Sequence, residues 1–422
     1  MNNAETISKI NDIRTDLNKR FKNRENVIDM MIASLVAGEL MLLIGPRGEA
    51  KTAIVESFAG YISDGKHFSV GLAKSSTPDD ILGGVDILAL QNGIYRRNTE
   101  GFLPECTTFL LDEGFKCNNP TLQSLLRVLS EREFQGKKIN ALFGAIASNE
   151  LPPELRGQKN GKSADLGPFE DSLLAFFDRF FYKVNVDKVI NGTPDWQDIV
   201  FNNVTDTKAN VSVTSEEILN LRNDIDNVNI DERTKNAIIE LTIALETSDS
   251  NIRVSTRTWR KAVRMIKVHA LLSGRNTVSR KDFRFLTNSF WTTPDQIPVI
   301  QQAIFGIGSR ETAEAAALES AVSNYMTAYS NNKLVIDSSG NLQIDENSRN
   351  TNLNKATVQE PLIHFLRENI NELRKLATSA EDYDEIDRVI AYVDKCRTHV
   401  VNQLMERLSV KTNNYSTKDQ AF

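Results

Sequence analysis

Cysteine and histidine are scarce in this 422-residue chain: three cysteines (Cys106, Cys117, Cys396), an odd number with no paired spacing, and four histidines far apart (His67, His269, His364, His399). That scarcity argues against a disulfide scaffold and against a zinc site, which need paired or clustered ligands. Long apolar runs are missing as well. None approaches the ~20 residues of a membrane-spanning helix, and the opening Met-Asn-Asn-Ala-Glu-Thr lacks the basic and apolar stretches of a secretion signal, which predicts a cytoplasmic protein with no membrane contact. Nor is there an excess of positive charge. Fifty Lys and Arg stand against 56 Asp and Glu, a formal net charge of -6, so no global field draws the chain to nucleic acid or anionic lipid, although a local basic surface stays open. What is present, 40% hydrophobic and 25% charged residues, is an ordinary globular composition. The length, against a typical domain of roughly 150 residues, predicts two or three packed units.

Apolar periodicity divides the chain. Ile10, Ile13, Leu17 and Phe21 form one helical stripe, and Val27 to Leu35 continues helical up to Gly38. These N-terminal helices, residues 1–36, lead into a stretch from 37 to 190 in which short unbroken apolar runs alternate with helical segments. The runs are Leu40 to Ile44, Thr107 to Leu111, Leu142 to Ala147 and Phe180 to Val186, a pattern that predicts an α/β domain on a parallel sheet. Asn191 to Asn210, with Gly-Thr-Pro and scattered Asn and Asp, reads as a connector. Residues 211–300 carry helical periodicity throughout, and residues 301–422 begin with an Ala-rich helix (Glu311 to Tyr329). Two short apolar runs around a turn between Lys333 and Ile344 then suggest a hairpin, and two long amphipathic helices follow, Leu362 to Leu376 and Glu385 to Leu408. The stripes on these last two should fold back as an antiparallel pair. That pair either forms a separable docking arm or completes the core of the helical unit before it.

The chemistry-bearing residues follow the strands. Gly45-Pro46-Arg47-Gly48-Glu49-Ala50-Lys51-Thr52 lies between the first apolar run and a helix, where a glycine loop aims backbone N–H groups and a helix N-terminus at a phosphate. In this reading Lys51 reaches the β and γ phosphates of ATP and the Thr52 hydroxyl ligates Mg2+; the bland alternative is a chance strand-to-helix turn. The usual pattern has Gly where Ala50 stands. The second run ends in Asp112-Glu113, at the strand edge where ligands of open α/β sheets bind. Asp112 would hold the Mg2+ shell and Glu113 would orient and deprotonate the attacking water, although an acidic pair there can also be a solvated strand end. Asn149 ends the third run and either positions the same water or caps a turn. Arg179, in Phe176-Phe-Asp-Arg-Phe180, either pairs with Asp178 or reaches a neighbouring subunit's γ-phosphate. The order of the strands suggests that it lies away from its own phosphate loop.

This succession, phosphate loop, Asp-Glu strand, Ala-Ser-Asn-Glu and Asp-Arg-Phe, resembles an AAA+ ATPase of the MoxR family, closest to its RavA-like branch, which also carries Ala before the loop lysine. Further similarities are Ser76-Thr-Pro-Asp-Asp80, Gly101-Phe-Leu-Pro-Glu105, Ser130-Glu-Arg-Glu-Phe134 and Asn149-Glu-Leu-Pro152. The resemblance covers about residues 5 to 305. It implies an α/β P-loop NTPase (AAA+) core with a parallel sheet, an all-helical lid, and beyond it a mostly helical tail with a small hairpin. Val254-Ser-Thr-Arg257-Thr-Trp259 is similar to the family's sensor-2 motif and nominates Arg257. Ile87 to Arg97 resembles a helix-2 insert and Phe134-Gln-Gly-Lys-Lys138 a pre-sensor hairpin, elements that face the channel in related rings. Arg96, Arg97, Lys137 and Lys138 would gather positive charge there, or would be solvated hairpin tips. Gly157 to Pro168 looks longer than the family norm. The resemblance implies a Mg2+-dependent ATPase in a homo-oligomeric ring, expected to be a hexamer, remodelling protein clients alongside a von Willebrand A domain protein. The alternative is a nucleic-acid translocase, against which stand the acidic balance and the lack of a recognisable nucleic-acid module.

Overall fold

Why five short strands can build one sheet here is visible in their composition: four of the five are buried for most of their length. In the computed structural model, which describes residues 3–155, 168–189, 194–201, 209–307, 310–345, 347, 355–376 and 383–416, they are β1 (Leu40–Ile44), β2 (His67–Gly71), β3 (Thr108–Asp112), β6 (Phe143–Ser148) and β7 (Tyr182–Asn185). Between β3 and β6 a two-stranded ribbon pairs β4 (Glu133–Phe134) with β5 (Lys137–Lys138). Its turn residues Gln135 and Gly136 both take positive φ, as a two-residue hairpin with the right twist requires. The five-stranded sheet runs β2-β3-β6-β1-β7 with every neighbouring pair parallel. β2 was not legible as an apolar run because it is an edge strand with an exposed face, His-Phe-Ser-Val-Gly.

The helices of this part are α1 (Asn3–Arg20), α2 (Glu25–Ala37), α3 (Lys51–Ala59), α4 (Asp79–Leu82), α5 (Ile87–Gln91), α6 (Asn119–Glu131) and α7 (Pro168–Phe177). α2 packs on β1, β6 and β7 and is buried along nearly its whole length, which explains a mean composition too apolar for a surface helix. Its C-terminal carbonyls find donors from elsewhere: Arg222 gives Nη2 to Leu35 O (2.8 Å) and Nε to Val36 O (3.0 Å), and Arg132 gives Nη2 to Gly38 O (2.9 Å).

The chain divides into two compact units, Met1–Val189 with Asn202–Ile300, and Ile190–Phe201 with Gln301–Phe422. The first contains the sheet and also the helices α9 (Ser215–Asn223), α10 (Glu232–Thr247) and α11 (Thr256–Leu272), with α11 and α9 packed on α2. A buried seam joins β7 to this helical part. The Tyr182 hydroxyl and His269 Nε2 are 2.7 Å apart, and the His269 ring stacks on Phe285. Lys183 Nζ donates to Trp291 O at 2.9 Å and lies 4.5 Å from the centre of the Phe177 ring, burial bringing its pKa down to about 8.

The segment read as a connector holds a helix, α8 (Pro194–Phe201), opened by Pro at its first position, where a missing N–H costs nothing. It is assigned to the second unit. α12 (Ile297–Gly306) runs across the boundary, and α13 (Arg310–Ser330), the hairpin β8 (Leu334–Ile336) and β9 (Leu342–Ile344), α14 (Lys355–Leu376) and α15 (Tyr383–Ser416) follow. Leu362, Leu366, Ile370 and Leu373 of α14 meet Ile386, Val389, Val393 and Val400 of α15 in one core, which Val322 and Met326 of α13 and Leu334 of the hairpin complete. Arg388 spans to Glu319 with two parallel bonds of 2.8 and 2.6 Å. Of the Gly157 to Pro168 loop, residues 157–167 lie outside the described residues.

Candidate active site

Register brings the chemistry together. Ile44 pairs with Ser148 and Asp112 with Ala147, so β1, β3 and β6 end level and the residues just past them share one edge of the sheet. Gly45 N–H donates to Ser148 O at 3.1 Å, keeping the start of the phosphate loop against β6. A Cβ on Gly45 would lie 2.2 Å from the Val186 carbonyl oxygen, so only glycine fits between β1 and the chain leaving β7. The loop then curls through two left-handed residues, Gly48 (φ 84) and Ala50 (φ 58), before α3 begins at Lys51. Ala50 accepts a conformation that costs an L residue about 1–2 kcal/mol.

Lys51 is buried, and its Nζ donates to Gly45 O and Pro46 O, both at 2.7 Å, and to Asn149 Oδ1 at 3.2 Å. Burial lowers its pKa; the charges of Asp112, Glu113 and Glu49 oppose that shift. Thr52 Oγ1 donates to Asp112 Oδ2 at 2.9 Å, and Asp112 Oδ1 accepts the Glu113 N–H at 2.9 Å. Glu113, at φ 56, accepts from Asn149 Nδ2 at one oxygen and pairs with Lys116 Nζ at 3.1 Å through the other. Asn149 therefore bridges the lysine and the glutamate instead of capping a turn. Arg47, Gly48, Glu49, Ala50, Lys51, Thr52, Asp112, Glu113 and Asn149 line one open cavity of about 460 Å³. A hydroxyl and a carboxylate within hydrogen-bond distance are the hard oxygen donors that suit Mg2+, and the left-handed loop with the helix N-terminus suits phosphate, so the residues fit both groups.

Two nominated residues are not in this cluster. Arg257 lies exposed in the first turn of α11, whose N-cap is Ser255. Arg179 follows α7; its Nε donates to Ser130 Oγ and its Nη1 to Ala175 O at 3.3 Å, so Asp178 is not its partner in either contact. The strand order corrects the reasoning about Arg179. β7 sits directly beside β1, so the order of strands does not separate this arginine from the phosphate loop. Its distance comes from the strand's other end: Phe181 N–H donates to Leu40 O, at the start of β1, whereas the loop leaves after Ile44, about 13 Å away at ~3.3 Å per residue.

In the basic insert both arginines have acidic partners nearby. Arg96 Nε pairs with Asp86 at 2.7 Å while its side chain stays 67% exposed, and Arg97 pairs with Asp79 of α4 and donates to Gly83 O at 2.7 Å, so Arg97 ties the end of the insert back to α4. Lys137 and Lys138 are exposed on β5. Sequence reasoning missed Arg24, which joins Glu49 of the loop from 25 positions earlier without any local motif, and Lys116, whose signal was only its i,i+3 spacing from Glu113.

A parallel sheet in this order, with a phosphate loop after the central strand, an acidic strand end beside it and a helical lid, defines an AAA+ P-loop NTPase. Residues 8–222, just over half of the chain, match the family model of the MoxR domain in the MoxR-vWA-beta-propeller ternary systems, and residues 233–304 match that of an AAA lid domain. The chain belongs to this MoxR family, and ATPase activity is what the family supports for it. Two uncharacterized proteins of Methanocaldococcus jannaschii are similar to it, one 29% identical over 306 residues (70% of this chain, 75% of that one) and one 30% identical over 316 (73% and 76%). A structural protein of Acidianus two-tailed virus is 29% identical over 204 residues, 44% of this chain and 31% of its own. A crystal structure from Cytophaga hutchinsonii, described as a candidate ATPase, shares the fold with a TM-score of 0.54 at 19% identity, covering 75% of this chain and 95% of that one. Among the described residues no helix is long and apolar enough to cross a membrane.

Proposed function

We propose that the protein is a Mg2+-dependent ATP hydrolase of the RavA-like kind within the MoxR family, working as a ring to remodel or activate protein partners. The observation that carries the reading is the meeting of Lys51, Thr52, Asp112, Glu113 and Asn149 around one cavity at the ends of three parallel strands. In this reading the Gly45–Thr52 backbone and Lys51 bind the β and γ phosphates of the substrate, and Thr52 and Asp112 hold the metal. Mg2+ held by Thr52 and Asp112 would supply positive charge that offsets the phosphate oxygens. Glu113, held at one oxygen by Asn149 and at the other by Lys116, faces the cavity as the base that takes a proton from water; Asn149 fixes its orientation. Arg179 and Arg257 would complete the site from a neighbouring subunit or from the lid. The partners that the family description suggests are a von Willebrand A domain protein and a β-propeller protein.

The test separates binding from turnover. By calorimetry, Lys51→Ala loses ATP binding, whereas Glu113→Gln binds like wild type and hydrolyses ATP at least about 100-fold more slowly, the usual scale for a positioned acid or base. Equal affinity for all three proteins would defeat the assigned roles.

A further inference from the structure

The phosphate loop holds a non-glycine residue, Ala50, in the left-handed region, and the side chain just before it is anchored with unusual firmness. Glu49 Oε2 accepts Nη2 of Arg24 at 2.8 Å and the Val189 N–H at 3.3 Å. Both ion-pair side chains are largely out of water, Arg24 5% and Glu49 13% exposed. Arg24 is itself fixed: it occupies the N-cap position of α2, and its Nη1 donates to Asn23 O at 2.8 Å. Three segments distant in sequence therefore meet at one carboxylate: the turn before α2, the phosphate loop, and the chain just beyond β7.

A buried pair of this kind does little for net stability, because desolvation of both ions offsets their attraction. It does fix geometry, since breaking one side leaves a charge buried without its partner. A left-handed alanine persists only when its surroundings over-determine the backbone. Glu49 supplies that constraint one residue upstream, and α3 supplies it downstream, where the Ile54 N–H donates to Ala50 O at 2.9 Å.

We propose that Glu49 and Arg24 are a positioning pair, whose buried ion pair holds Ala50 left-handed and so keeps the loop's N–H groups in the concave arc that receives phosphate. The inference rests on reading this loop as a phosphate site. It assigns to two side chains that do not themselves bind phosphate a control over phosphate affinity, a task that glycine performs when it stands in place of Ala50.

The experiment is a rescue, read as MgADP affinity by calorimetry on the full chain, with thermal melts to confirm that each variant is folded. Glu49→Gln should weaken MgADP on the order of tenfold, the scale of the left-handed penalty. Arg24→Gln should do the same, and the double variant should be no weaker than either single one. Adding Ala50→Gly to either variant should return affinity to within about threefold of wild type, because glycine needs no clamp to stay left-handed. A merely structural pair would leave affinity unchanged in folded variants, or would not be rescued at position 50; either result overturns the proposal. Wild type that binds no MgADP defeats the phosphate-site reading itself, and this inference with it, whereas wild-type binding with an indifferent Glu49→Gln defeats the inference alone.

Discussion

His269 shows how much one buried side chain can reveal about pH. It is enclosed between β7 and the lid helices, hydrogen-bonded to Tyr182 and stacked on Phe285, and burial, reinforced by Arg284, Arg14 and Arg275, holds its pKa well below the ordinary value of 6.5. A depressed histidine binds its proton more readily when unfolded. Its contribution is therefore whole above pH ~6.5 and is lost as pH falls below it, with a slope of up to about 1.4 kcal/mol per pH unit. Denaturant melts of wild type and His269→Gln between pH 7.5 and 5 should converge toward acid; parallel curves would mean that His269 is not held neutral. The same scale shows why some site residues were legible and others were not. Lys51, Thr52, Asp112 and Glu113 stand in patterns that geometry explains, a loop before a helix and acids after a strand. Arg24 has no such pattern, because what defines it is a contact across 25 residues that forms only in the folded chain.

Among the elements, α2 is the one whose surroundings most determine the fold. It packs on three strands and on α1, α9 and α11, and its last carbonyls are satisfied by Arg222, a residue of α9. Burial lowers the Arg222 pKa to about 10, yet the guanidinium stays charged at neutral pH and offsets the negative end of the helix. Arg222→Met should cost about 1–3 kcal/mol in urea melts, as buried acceptors lose their donor. A change under about 0.5 kcal/mol would mean that water replaces the arginine without penalty. β7 carries the other element-scale consequence. Arg179 enters it at the end opposite the phosphate loop, which favours a target on another subunit. Mixing Arg179→Ala with Lys51→Ala protomers should recover part of the ATPase activity, because some interfaces then pair an intact arginine with an intact loop; no recovery at any ratio, with assembly verified, would leave Arg179 structural or acting on its own subunit. Two of the elements that periodicity did not reveal, β2 and α8, are missed for related reasons: a half-exposed edge strand has no continuous apolar run, and a helix of eight residues shows too few turns for a stripe.

At the scale of the molecule the second unit has a core of its own, drawn from α13, the hairpin, α14 and α15, and the residues around the cavity all belong to the first. A chain ending at Gly306, where α12 closes and the lid domain match is complete, should therefore bind MgADP with wild-type affinity within about threefold and melt as a folded protein. Insolubility, or a melting temperature more than about 10 °C below wild type, would make the tail part of the first unit's stability instead of a separable arm. The tail's two helical stripes were readable because each repeats over many turns. What the sequence left open was whether they completed another core, since a stripe shows that a face is buried and not what covers it.

The position of β1 in the sheet has a consequence for synthesis on the ribosome. Its neighbours are β6, beginning at Phe143, and β7, beginning at Tyr182, so the five apolar residues Leu40–Ile44 emerge long before anything exists to pair with them. At ~5–20 residues per second the delay is on the order of 10 s, during which a greasy, β-prone segment waits on the nascent chain. The strand that carries the phosphate loop is thus among the first to be translated and among the last to be enclosed. Slow codons or early termination between residues 45 and 182 would prolong its exposure, and aggregation during translation should be most sensitive to that interval.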